Sequence, residues 1–391
     1  MKIAVVGAGP AGLYFSILVA RRFPDWQIDV IEQNAPDSTF GFGVVLADSG
    51  LNRLQAADAA TYEQLVAKMT FTTHQIITQK DTPVAIRRPN KGGGAIARID
   101  LLSVLQKAAT EAGVNIRYRH RVDSPDQLDL GNADVVVGAD GVNSAVRAAD
   151  EQGFGTTKSF LTNHFAWFGV NKAFPTAALV FREYQGGAFI AHYYPYTSGH
   201  STFVAECDHA TWLKLGMEQL GADARQALFE KVFAKELDGH PLVSNNSAWR
   251  QFPVIRNAAS VSGKTVLLGD AETSAHFSIG SGTRIAMDDA IALAEALTAD
   301  GDDQAVAAVQ RLERFAKTRG PEKAKLIDAS QKSYLWYENI GEWMKCYSPL
   351  EFVHAFMMRT GRVNEERLAK SYPELFSQIQ TERDAKRRVA A

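Results

Sequence analysis

Between Val6 and Leu13 the chain reads Gly7-Ala8-Gly9-Pro10-Ala11-Gly12, and no other stretch limits the fold as much. Before it stands the short apolar run Lys2 to Val6, the kind that forms a strand buried on both faces of a parallel sheet. After it comes LYFSILVARRF, a helical stretch with Arg21 and Arg22 in its last turn. A second apolar run, Asp29 to Ile31, ends at Glu32, twenty residues beyond Gly12. This is a βαβ unit with the dimensions of a dinucleotide-binding module. Gly7 permits the tight turn, Gly9 lets the backbone approach a pyrophosphate, and Gly12 allows the helix to pack on the strand. With Pro10 and Ala11 opening the helix, its free N–H groups face the phosphates, and Glu32 is placed to accept from ribose hydroxyls. A lone GxGxxG is often only a turn; here strand, glycines, helix, strand and acid fall in register. The motif does not by itself separate NAD from FAD.

Two further motifs repeat the pattern of strand exit and acidic turn. Val137-Gly-Ala-Asp140-Gly141-Val-Asn-Ser144-Ala-Val-Arg147 follows the apolar run Ala133 to Gly138. An isolated Asp-Gly of this kind reads first as a simple Asx turn. Leu267-Leu-Gly269-Asp270-Ala271 closes the run Thr265 to Leu268, and His276-Phe-Ser-Ile-Gly280-Ser281-Gly282-Thr283 then opens the helix Arg284 to Thr298. Asp270, at a strand end, suits a polyol hydroxyl. The glycine-rich turn presents backbone N–H groups where negative charge can be held.

Between these pieces the pattern changes. From about His164 to Trp249, period-two alternation and frequent aromatics, as in AFIAHYYPY and STFVAEC, predict antiparallel strands with one solvated face. Phe71 to Arg88 predicts a shorter strand piece joining that sheet, and from Gln304 onward the pattern is helical. The expected architecture is α/β. A Rossmann-like nucleotide-binding domain takes residues 1–70, 95–160 and 255–330, and an inserted antiparallel β-sheet substrate domain takes 71–94 and 161–254. A helical C-terminal segment spans 331–391.

Composition narrows the function classes. Forty-two basic against 44 acidic residues leave a net charge of -2, which offers no electrostatic footprint for nucleic acid and no polybasic membrane surface. Two cysteines, Cys207 and Cys346, make neither a disulfide framework nor a zinc site, so a reducing, cytoplasmic setting is expected. Ile3 to Ala20 carries no charge, yet its glycines, Pro10 and the missing cleavage signal argue against an export leader. No metal-ligand spacing and no Ser-His-Asp arrangement stands out, and nothing specifies an oligomeric state.

The trio GAGPAG…Glu32, VGADGxxSxxR and LLGDA…GSGT resembles the flavoprotein aromatic hydroxylases of the para-hydroxybenzoate hydroxylase type, over about three hundred residues. The segments FGFGVVLAD, NHFAWFG, HSTFVAEC, WRQFPVIRN and AHFSIGSGT are similar to a subgroup with salicylyl-CoA 5-hydroxylase and the monooxygenase part of 2-aminobenzoyl-CoA monooxygenase/reductase. Several are shared with the violacein-pathway hydroxylase. The resemblance implies non-covalent FAD, NADH or NADPH as reductant bound transiently, and O2 as cosubstrate. It implies hydroxylation of an activated aromatic ring through a flavin hydroperoxide, the substrate being a small aromatic molecule, free or CoA-linked.

For site residues it implies cofactor contacts at Gly7, Gly9, Pro10, Ala11, Gly12, Glu32, Gln33, Gly43, Val44, Arg98, Asp140, Gly269, Asp270, Gly280, Ser281, Gly282 and Thr283. The chain departs from the wider family at Thr273, Phe277 and Arg284, where histidine, proline and asparagine are usual. His192, Tyr193, Tyr194 and Tyr196 share one predicted strand, so alternate members face the substrate or are ordinary sheet aromatics. His192, Tyr194 and His276, which directly precedes the flavin loop, are the catalytic candidates, with packing the alternative. Arg87, Arg88 and Lys91 are candidates for CoA phosphates, or else a solvated hairpin tip. A hydroxylase of a free aromatic or indole-type intermediate, a non-oxygenating FAD reductase and a binding module remain open alternatives.

Overall fold

The structure is a computed structural model describing residues 1–36, 38–87, 93–124, 132–301 and 307–390, the side chains of 389 and 390 excepted. One sheet carries the strands Val261–Ser262, Thr265–Leu267, Val135–Gly138, Lys2–Val6, Gln27–Ile31 and Asn115–Arg117 in that spatial order. All neighbours are parallel except the Val261–Ser262 hairpin with Thr265–Leu267. The inner strands Lys2–Val6 and Val135–Gly138 are buried almost throughout, as their continuous apolar runs require. In register, Val6 stands beside Ile31 and Gly138, and Gly138 beside Leu267. Four carboxyl-terminal strand ends therefore lie level. The glycine turn, Glu32, the Asp140 turn and the Gly269–Asp270 turn leave from one edge, the end where open α/β sheets bind ligands.

The second sheet has eight strands. Leu242–Ser244, Thr157–Val170, Ser201–Cys207, Gly187–Pro195, Ala177–Tyr184, His74–Gln79 and Thr82–Arg87 run side by side, and Arg250–Arg256 pairs with Thr157–Val170. Of the expected Phe71 to Arg88 piece, His74 to Arg87 joins this sheet through a parallel pairing of His74–Gln79 with Ala177–Tyr184. Its first residues, Thr70–Phe71, instead complete a small sheet with Gly43–Leu46 and Gly94–Ala97.

Two expectations are corrected here. Residues 209–237 form helices, His209–Lys214, Ala222–Val232 and Ala234–Leu237, with Met217–Gln219 a single 3-10 turn between the first two. They cover one sheet face, where Trp212, Met217, Phe229 and Phe233 pack on Phe168, Phe189, Phe203 and Ala205. The other face meets the nucleotide-binding part and the C-terminal helices, where Tyr337, Phe352 and Val353 pack on Leu179, Phe181 and Ile190. The solvated face expected from alternation is thus absent from the central strands, and Ser201–Cys207 is buried at every residue. Small and aromatic residues alternate along these strands, so period two here records two kinds of buried surface. Among the described residues no helix is long and apolar enough to cross a membrane.

Candidate active site

A cavity of about 500 Å3 opens at the level strand ends, lined by Gly7, Gly9, Glu32, Gln33, Arg98, Ala139, Asp140 and Ser144 among others. Gly7 has φ +103°, and a Cβ there would sit 2.4 Å from the Ala139 carbonyl oxygen, so only glycine makes this turn. A Cβ on Gly12 would come within 2.1 Å of the Gly7 carbonyl oxygen, which lets the helix Pro10–Arg22 seat against the first strand. At Gly9 a Cβ would meet only one atom, at 4.0 Å, leaving room for a ligand to approach the backbone. Gly9 caps that helix with no side-chain acceptor, so the leading N–H groups remain available to an anion. Glu32 is pinned beside them. Its Oε2 accepts from Ala8 N at 2.9 Å, and its Oε1 from Asn34 N and Nδ2 at 2.8 and 2.7 Å.

Asp140 accepts from Ala145 N and Val146 N through Oδ2, while its buried Oδ1 has no partner among the described residues. Burial raises its pKa above the ordinary carboxylate value, against the pull of the nearby Ser144 hydroxyl and of those backbone N–H groups. Arg147, the last residue of that motif, is buried and donates to Val142 O at 2.7 Å and Ala271 O at 2.8 Å, tying the second turn to the third.

A second cavity, of about 480 Å3, shares Arg98 with the first. One wall holds Gly43, Val44, Asp270 and the Gly280–Thr283 turn; the opposite wall holds Phe165, Trp167, His192, Tyr194, Val204 and Phe252. Asp270 is exposed to this cavity, yet surrounding protein raises its pKa, with Arg98 and Lys323 pulling the other way. Burial lowers the pKa of Arg98, Asp270 being the charge that opposes this. Alternation holds on the strand Gly187–Pro195. His192 and Tyr194 face the cavity, while Tyr193 stacks on Phe174 and Phe203 behind it. Tyr194 donates its hydroxyl to Gly43 O at 2.9 Å, linking the sheet to the wall that holds Gly43. Burial, aided by Arg359, pushes His192 down to about 4, so it is neutral at pH 7.

His276 does not line either cavity. It is buried between Phe252 and Phe277, its Nδ1 accepts from Ser278 N, and burial pushes it down to about 3. Pro10, Ala11, Gly12 and Gly269 likewise line neither cavity with their own atoms. Arg87 lies on the edge strand Thr82–Arg87, three strands from Gly187–Pro195, about 14 Å away at ordinary strand spacing. It is exposed beside Glu374 and lines neither cavity. Arg88 and Lys91 lie outside the described residues. Sequence reasoning did not single out Phe165, Trp167, Val204, Arg250 or Phe252. The signal was present as alternation in NHFAWFG and HSTFVAEC, but alternation does not say which face meets a ligand.

Uncapped helix N–H groups, an open cradle at Gly9, an orphaned Asp140 oxygen and a second cavity walled by rings fit a dinucleotide that ends in a planar ring system. Residues 1–330 match the family described as FAD binding domain, and the chain belongs to that family. It is 36% identical over 374 residues to salicyloyl-CoA 5-hydroxylase from Streptomyces sp, covering 92% of this chain and 70% of that protein. It is 33% identical over 367 residues to protodeoxyviolaceinate monooxygenase from Chromobacterium violaceum, covering 92% and 94%. The tetrameric form of 2-methyl-3-hydroxypyridine-5-carboxylic acid oxygenase shares the fold, with a TM-score of 0.72 at 16% identity over 93% of this chain and 98% of that one. The chain is a flavoprotein aromatic monooxygenase that uses FAD, NAD(P)H and O2.

Proposed function

We propose that the protein hydroxylates an aromatic ring carried as an acyl-CoA thioester, such as salicylyl-CoA at position 5, para to the existing hydroxyl. The carrying observation is the shape of the ring-walled cavity. Phe40, Asn246, Ala248 and Arg250 both line it and are exposed, so they mark its mouth, Phe40 at 56% exposure. The inner wall is aromatic; the rim carries Arg250, whose guanidinium lies over Phe165 at 5.4 Å. A ring can enter, and a polar tail can leave past Arg250. The 36% identity to a salicyloyl-CoA hydroxylase supports the same reading.

Residue roles follow. Glu32 holds a ribose hydroxyl, the Gly7–Gly12 turn and helix N-terminus take the pyrophosphate, and Asp270 takes a ribityl hydroxyl. Arg98, common to both cavities, stands beside the link between the two ends. Gly43, Val44 and the Gly280–Thr283 turn hold the ring system. Bound FAD supplies the activated oxygen, and the protein orients the target ring and excludes water. Phe165, Trp167 and Phe277, which pack on one another, form an apolar wall against which that ring is positioned, and neutral His192 offers a hydrogen bond to its hydroxyl without adding charge. Cys207 is buried and Cys346 exposed, both unpaired, which suits the reducing cytoplasm.

The test is a panel of aryl-CoA thioesters and the matching free acids, scored by substrate-stimulated NAD(P)H consumption. The thioester is expected to be turned over far faster, because the tail adds binding energy remote from the ring. A free acid or an indole substrate turned over as fast would favour the violacein-type reading.

A further inference from the structure

We propose that Arg359, contributed by the C-terminal helices beyond the family match, is a positioning residue for the flavin loop and supplies a positive charge that favours reduced over oxidised FAD. The inference rests on FAD occupying the cavity beside Gly280–Thr283, and it adds a part of the chain that neither the motifs nor the family match include.

The helix Pro349–Met358 starts with a reciprocal capping box between Ser348 and Glu351, and Phe352, Val353 and Phe356 bury its apolar side. Both ends of the helix are therefore fixed, and Arg359 caps the second. All three kinds of guanidinium nitrogen are used. Nε donates to Ser333 Oγ at 3.0 Å, NH1 to Phe356 O at 2.7 Å, and NH2 to Ser278 O at 2.9 Å, with the group stacked 3.8 Å over Phe356. Ser278 lies two residues before Gly280. The same loop is held by Ser278 Oγ on Ser333 Oγ at 2.8 Å and by His276 N on Ser330 Oγ at 3.1 Å. Arg359 thus bridges the C-terminal helix, the long helix Ala308–Glu338 and the loop that walls the cavity.

Every acceptor of Arg359 is neutral. Among the described residues no carboxylate lies within ion-pair distance of it, and the helix C-terminus is the dipole that faces its charge. The charge is therefore not cancelled locally. The guanidinium sits directly behind the cavity wall, its NH2 on Ser278 O while Phe277 and Gly280 of the same loop line the cavity, and after burial it is the charge that lowers the pKa of His192 and His276. A cation in a partly dehydrated site favours whichever redox state carries more negative charge, and reduction adds that charge to the flavin.

The hydrogen bond and the charge separate experimentally in FAD-loaded protein. FAD affinity is read by fluorescence titration and midpoint potential by dye equilibration, with a melting curve for each variant. R359K keeps the charge but cannot span three acceptors: FAD affinity should fall roughly ten- to a hundredfold, with the potential near that of the parent. R359Q should lower affinity and also shift the potential to more negative values. S333A, which removes one acceptor and keeps the charge, should behave like a mild R359K. If R359Q is insoluble, R359M, which keeps an apolar stem over Phe356, carries the charge comparison. Unchanged FAD affinity in both R359K and S333A overturns the positioning role, and an unchanged potential in R359Q or R359M overturns the charge role. A parent protein that does not retain FAD would instead remove the reading beneath both.

Discussion

Glu32→Gln is normally a mild change, and this structure makes it a severe one for cofactor binding. A carboxylate offers about four lone-pair sites. Three are occupied: one on Oε2 by Ala8 N, and two on Oε1 by Asn34 N and Nδ2. One site, on Oε2, remains for a ribose hydroxyl. In glutamine one of these oxygens becomes an NH2 donor, which must point either at the Ala8 N–H or at both Asn34 donors. The first choice also turns a donor toward the ribose site; the second breaks two hydrogen bonds. Losing a charge-assisted bond and leaving a part-buried donor unmatched costs about 1.5–3 kcal/mol, or roughly ten- to a hundredfold in FAD affinity. Glu32→Ala should lose about as much, so the conservative variant gives little rescue. Titration of deflavinated protein with FAD, followed by fluorescence quenching, reads the difference. An E32Q protein that binds FAD as the parent does would refute the argument.

Other outcomes follow from buried charge and geometry. Glu206 is buried beside Asn163, and burial pushes it up to about 8, so it is protonated at neutral pH. Between its ordinary value near 4.5 and about 8 the unfolded chain has released this proton and the folded one has not, so this group lowers stability by about 1.4 kcal/mol per pH unit across that window. Glu206→Gln should remove that slope and stabilise the protein at pH 8 in denaturant melts. His192 and His276, held down at about 4 and 3, act with the opposite sign, and their contribution is lost as pH falls below the ordinary histidine value. Lys323 is buried against Glu272 and Asp289, and Asp289 accepts from Gly269 N at 3.1 Å. Lys323→Met should therefore cost about 3–5 kcal/mol in unfolding free energy and weaken FAD retention through Asp270. Gly7→Ala, with its Cβ forced against Ala139 O, should abolish FAD retention on gel filtration.

The nucleotide half of this molecule was legible because its constraints are local. Gly7, Gly12 and Glu32 each answer to backbone atoms near them or on the next strand, and spacing along the chain carries that information. The substrate half was legible only in outline. His192 and Tyr194, candidates by alternation, line the ring-walled cavity, but the helices over residues 209–237 look strand-rich in sequence, because the aromatics that pack them look the same in either element. Arg87 suits a phosphate by charge alone, but strand order puts it far from the cavity. Arg250 and Phe40 mark the mouth only once the sheet and the residues 39–43 meet in space. Arg359 reaches Ser278, in the loop before Gly280, across 81 residues of sequence, a contact that no local pattern announces.

In the proposed reading the two cavities, which share Arg98, hold FAD beside an aromatic ring for transfer of one oxygen atom from O2. Protein reduced by NADH is mixed with salicylyl-CoA under heavy-isotope O2, and the thioester is read by mass spectrometry. A dihydroxylated thioester carrying one labelled oxygen in its new hydroxyl group is expected. NADH consumed with the thioester returned unlabelled and unchanged would contradict it.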